Sequence, residues 1–118
     1  MLEISFKNKN VEKYCTNIKD VQKDFGPQIA KKLAQRLSEA KSFNTVFELL
    51  NSGIDNPHLL KGDLDGCAAW DLTAQVRLII RISDSFNENT EDDIKTMTFI
   101  VVEGVRDYHD GNKKWLIN

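Results

Sequence analysis

Cysteine, histidine and proline each occur only twice in this chain, and that scarcity removes several kinds of chemistry at once. Cys15 and Cys67 are too few for a disulfide scaffold, and they lack the close pairing that marks metal-binding cysteines. They read as two reduced thiols of a cytoplasmic protein. With only His58 and His109 beside them, no credible zinc site can be assembled, so neither a metal nor a cofactor is expected. No apolar run approaches the roughly 20 residues that cross a bilayer. Met1-Leu2-Glu3-Ile4-Ser5-Phe6 also lacks the basic-then-apolar order of a secretory signal. Internal repeats and low-complexity tracts are absent.

Charge of one sign is missing too. The formal net charge of -2 argues against a generic nucleic-acid binder, which is normally basic. Its distribution is uneven, however. Residues 1–41 hold nine Lys/Arg against five Asp/Glu, and the remainder holds seven against thirteen. A basic front part can present a positive face to phosphates whatever the sum.

The chain is 118 residues long, with 41% hydrophobic and 29% charged residues, which suits a single globular domain. Leu2 to Phe6 alternates apolar and polar, the period of a half-buried strand. Val11, Tyr14, Cys15 and Ile18 fall at helical spacing. After Gly26-Pro27, a proline suited to a first turn, the residues Ile29, Ala30, Leu33, Ala34 and Leu37 predict a helix over about 27–41. Lys31, Lys32, Gln35 and Arg36 lie off that stripe. Thr45-Val46-Phe47-Glu48 reads as a capping box opening a short third helix that Gly53 can stop. Turns follow at Asn56-Pro57 and between Leu59 and Gly66.

Cys67 to Leu72 could be a strand despite its poor alternation. From Gln75 to Ser83 the alternation is clear: Val76, Leu78, Ile80 and Ile82 face one way, and Arg77, Ile79 and Arg81 the other. Ser85 to Asp93 reads as an exposed acidic connection. Thr96 to Val105 should be a central strand. The resulting class is α+β, an N-terminal strand and two to three helices on a mainly antiparallel sheet of about four strands. Residues 1–53 would hold the strand and helices, 54–109 the sheet, and 110–118 a tail.

Asp107-Tyr108-His109, directly after the last strand, offers a carboxylate, a phenol and an imidazole. Cleaving a phosphodiester with its own 2′-hydroxyl needs a base, an acid and cations to offset charge on the phosphorane. Imidazole serves either proton transfer near neutral pH, and arginine forks match phosphate oxygens. No metal is required. Taken alone, the tripeptide is more simply a solvated strand end.

Read together, His58-Leu59-Leu60-Lys61-Gly62-Asp63, Asp65-Gly66, Gln75 to Arg81 and Asp107-Tyr108-His109 resemble the signature of the HigB-type plasmid maintenance killer toxins of the RelE/ParE superfamily. Lys32 to Leu37 is similar as well, and the resemblance spans nearly the whole chain up to His109. It implies a RelE-like fold and a ribosome-dependent messenger-RNA endonuclease, held inactive by a helix-turn-helix, HigA-like antitoxin. Operator DNA would be met only through that antitoxin. By resemblance, His58 and His109 would share proton transfer with Asp107, and Tyr108 would position the nucleotide or assist the base. Lys61 and Arg77 would contact phosphate, with Arg81 a lesser candidate. Several features depart from the pattern: Cys67-Ala68-Ala69 where an aromatic is common, Val76 before the strand arginine, a long 85–93 connection, and the extra tail.

The competing reading is a ParE-like toxin that binds gyrase without catalysis, or a degenerate toxin that only binds its antitoxin. Their difference lies in geometry. A nuclease of the first kind needs His58, Tyr108 and His109 on one cleft, within about 12 Å of each other.

Overall fold

A computed structural model describes residues 1–111 and 113–118, with Asp110 described by its backbone alone. The N-terminal alternation forms β1 (Glu3–Phe6). The first helical stretch is two helices, α1 (Lys9–Thr16) and α2 (Ile18–Phe25). Asn8 opens α1 by accepting from the Val11 N–H at 2.9 Å. Asn17 ends it, with φ -129° and ψ 75° outside the helical region. Pro27 then starts α3 (Pro27–Ser42), which buries Ala30, Leu33 and Ala40.

The capping box forms at α4 (Val46–Leu50). Thr45 accepts from the Glu48 N–H at 3.2 Å, and Glu48 reaches back to the Asn44 N–H at 3.0 Å. The remaining elements are β2 (His58–Leu59), β3 (Cys67–Asp71), β4 (Val76–Arg81), α5 (Thr90–Asp93), β5 (Phe99–Asp107) and β6 (Lys114–Ile117).

These strands make one six-stranded sheet rather than one of about four, ordered β1-β5-β4-β3-β2 with β6 also on β5. Two segments account for the difference. His58-Leu59, expected in a loop, pairs with Ala68-Ala69. The expected tail folds back as β6 against Val105–Asp107. β5 is indeed central: its first half pairs in parallel with β1, its second half antiparallel with β6, and its other edge with β4.

The helices cover one face of the sheet. Leu2, Leu33, Leu49, Trp70, Leu78 and Val102 belong to the main core there. The opposite face is open except for a small cluster of Cys67, Ala69 and Ile79, covered in part by Leu60, Leu64, Tyr108 and Trp115. β3 is therefore buried on both faces, which explains its lack of alternation.

Arg36 is not a solvated helix position. It is 1% exposed, lies over the Trp70 ring and reaches Glu39, Asp55 and the Asp71 carbonyl. Nor is the 85–93 connection simply exposed. Thr90 within it is buried, and Phe86 packs against the core while its N–H donates to Asp65. It leaves the far end of β4 from the Gln75 end, so it is remote from Tyr108. No helix among the described residues is long and apolar enough to cross a membrane.

Candidate functional site

The alternation of β4 places Arg77, Ile79 and Arg81 on the open face, away from Val76, Leu78 and Ile80. β5 delivers Glu103 and Arg106 beside them, both largely buried. What aims Arg106 is a bulge in β5, which has one residue more between Val102 and Gly104 than the facing Ile79–Ile80 of β4, just before β6 joins. Gly104 makes that junction possible: its φ is +155°, and a Cβ there would sit 2.0 Å from the Ile117 carbonyl oxygen. β6 in turn lays Trp115 against the open-face cluster.

Arg77 and Tyr108 meet at the Gln75 end of this face. The Arg77 guanidinium lies 4.7 Å from the Tyr108 ring centroid, and its Nε is 3.3 Å from Asp71. Arg106 lies 5.6 Å from Tyr108 and 5.1 Å from Trp115. Tyr108 is held at the strand end by its N–H, which donates to the Gln75 carbonyl at 2.7 Å.

His109 follows on a single 3-10 turn. Its Nδ1 meets Gln75 Oε1, and its backbone N–H donates to Asp107 Oδ1 at 2.8 Å. Asp107 thus shapes the turn that carries the imidazole; the contact it makes is to His109's backbone. Donation from Nδ1–H to Gln75 corresponds to the tautomer with its lone pair on Nε2.

His58 stands elsewhere. It pairs with Ala69 on β2, and its Nδ1 is 2.9 Å from its own loop's Asn56 carbonyl. Register carries Ala69 across to Ile79, whereas His109 meets Gln75, well along β4. At the usual strand and residue spacings, roughly 17 Å of sheet separates the His58 and Gln75 backbones. His58 instead lines a cleft of about 440 Å³ between α4, α5 and β2, with Phe47, Leu50 and Ile94. Backbone spacing thus sets His58 apart from the Gln75 that His109 meets.

Lys61 is exposed and leads into the 3-10 turn Gly62–Leu64, whose Asp63 approaches Arg106 at 3.7 Å. Arg81 is already engaged: its Nε pairs with Glu103, and a second nitrogen donates to the Ser83 carbonyl at 3.0 Å. The Glu103 hydrogen bond raises its pKa further, so it stays charged. Arg77, Arg81 and Arg106 therefore each have a carboxylate nearby. Phosphate would have to displace Asp71 or Asp63, which fits the modest overall charge.

Sequence reasoning missed Arg106, Trp115 and Asp71. Arg106 adjoins the Asp-Tyr-His tripeptide, and alternation from Glu103 would not have found it because the bulge intervenes. Both cysteines are unpaired and buried. Burial pushes the Cys67 thiol up to about 11 and that of Cys15 to about 12. Among the described residues no cluster of His, Cys, Asp and Glu could hold a metal ion.

No protein-family model matches the chain, and neither does any curated protein sequence. Among solved structures, a chain of the YoeB-YefM complex from Staphylococcus aureus is similar, with a TM-score of 0.50 and 22% identity. The match covers 92% of this chain and 98% of that one. The match shows the fold, an α+β arrangement of helices on one face of a mainly antiparallel sheet.

Proposed function

We propose that the protein is the toxin of a type II toxin–antitoxin pair, and that its open sheet face binds and cleaves messenger RNA without a metal. The observation that carries this reading is the grouping of Arg77, Tyr108 and Arg106 beside His109 at one end of the open face. The arginines offer forks to the scissile phosphate. His109 would move a proton, oriented by Gln75 and by the Asp107 turn. Tyr108 would hold the nucleotide between them. Lys61 would reach neighbouring phosphate, while Arg81, tied to Glu103, supports the face. His58 lies outside this cluster and has no part in it. The likeness to a chain from a complex supports an antitoxin partner; a HigA-like antitoxin, action on the ribosome and a cytoplasmic setting belong to the same proposal.

The position of His58 favours a second reading, a ParE-like binder of gyrase that cleaves nothing. Inducible expression in bacteria, with growth, transcript integrity and plasmid supercoiling followed together, separates the two. Arrest with cleaved transcripts supports the nuclease, and His109→Gln should then lower cleavage on the order of 100-fold with little loss of folding. Arrest with intact transcripts and blocked supercoiling supports the binder. Equal cleavage by mutant and parent removes His109 from the chemistry.

A further inference from the structure

Beyond Tyr108 the open face continues as an alternation of cations and rings. Arg106 bridges Tyr108 and Trp115, and the Lys7 ammonium lies 5.9 Å from the Trp115 ring centroid. Lys7 is also 3.8 Å from Glu103 and donates to Asn118 Oδ1 at 2.6 Å, yet its side chain is 40% exposed. It can turn toward a ligand.

Arg106 is in a different situation. Its side chain is only 9% exposed, and its Nε is buried with no hydrogen-bond partner among the described residues. The anion beside it, Asp63, is 3.7 Å away and 73% exposed. A buried guanidinium N–H without an acceptor is costly, and an incoming anion removes that cost. Trp115 itself is half-buried, and β6, which carries it, pairs with Val105, Arg106 and Asp107 of β5.

We infer that Trp115, Arg106 and Lys7 form a second nucleotide subsite for single-stranded RNA, next to the Tyr108–His109 cluster. The indole stacks on a base, and Arg106 and Lys7 hold the phosphate that joins it to the nucleotide at Tyr108. Stacking on an indole tolerates any base, so the subsite adds affinity and register without sequence choice. This inference rests on the RNA reading of the open face.

The test uses labelled 2′-O-methyl ribonucleotides, which lack the 2′-hydroxyl nucleophile, as a mononucleotide and a dinucleotide. Binding is followed by fluorescence anisotropy. The dinucleotide should bind the parent protein about tenfold more tightly than the mononucleotide. Trp115→Leu keeps an apolar cover over Ile79 and should lose that length-dependent gain while leaving the mononucleotide affinity unchanged. A gain that survives in a natively folded Trp115→Leu overturns the subsite. Should circular dichroism show that variant unfolded, Lys7→Ala at the exposed side chain decides instead: an undiminished gain refutes the inference. Equal affinity of the parent for both lengths also refutes the subsite alone. Failure of the parent to bind either length refutes the RNA reading itself.

Discussion

Arg36 offers a test of how the core supports the open face. Its guanidinium is buried, lies 5.7 Å from the Trp70 ring centroid and donates to the Asp71 carbonyl at 3.1 Å. Asp71 is also the carboxylate partner of Arg77. Replacing Arg36 by Ala removes about two buried methylenes, at about 0.8 kcal/mol each. It also removes a desolvated cation–ring contact, about 1–2 kcal/mol, and the hydrogen bond to the Asp71 carbonyl, about 1–2 kcal/mol. The total is about 4–6 kcal/mol.

Arg36→Met keeps the stem over Trp70. The carboxylates it abandons, Asp55 and Glu39, are 48% and 24% exposed and can be hydrated. The remaining losses are the hydrogen bond to Asp71, about 1–2 kcal/mol, and the cation–ring contact, which a sulfur–ring contact offsets in part, so the cost should be about 2–3 kcal/mol. Urea unfolding of the two variants measures both numbers. A methionine variant as unstable as the alanine one would refute the reasoning, because the ion pairs and not the packing would then carry the stability.

Gly104→Ala should unseat β6, because the new Cβ meets the Ile117 carbonyl oxygen at 2.0 Å; a lowered melting temperature and a red shift of Trp115 emission check this. His58→Ala should leave transcript cleavage within about twofold of the parent, since two strand spacings and several residues of β4 separate it from the Gln75 that His109 meets; a loss comparable to that of His109→Gln in the expression assay would return it to the site. The raised thiol pKa values predict alkaline destabilisation. The folded chain retains protons that the unfolded chain releases above about pH 9, so stability falls as pH rises from there towards 11 and 12. Cys15→Ala with Cys67→Ala should flatten that part of a stability–pH curve.

Elements with a strong period were legible from the residues alone. Pro27–Ser42 and Val76–Arg81 appear close to the bounds that alternation and helical spacing imply. Pairing between distant segments was not legible. His58-Leu59 is too short to carry a period, and only Ala68-Ala69 across the sheet makes it a strand. Lys114–Ile117 is likewise a strand because β5 has a vacant edge beyond β1. The burial of Arg36 was not legible for a related reason: it lies off the apolar stripe, and its partners Asp55 and Asp71 come from a loop and a strand far along the chain.

The site shows the same division. Arg77 and the Asp107–His109 run could be named in sequence, whereas Arg106 and Trp115 depend on a bulge that no local pattern encodes. His58 matched the motif but is separated from His109 by the sheet's geometry.

The parallel pairing of β1 with β5 also orders events during synthesis. Glu3 finds its partner only when Phe99 has been made, so the strand at the start of the chain waits for nearly all of it. Such long-range closure slows folding and leaves strand edges exposed meanwhile. The helices and the β3–β4 pair can form earlier from nearer contacts. Arg106, Tyr108 and His109 lie at the end of that late strand. The central strand and the candidate site therefore arrive together, and a nascent chain has no complete open face until β5 has been added.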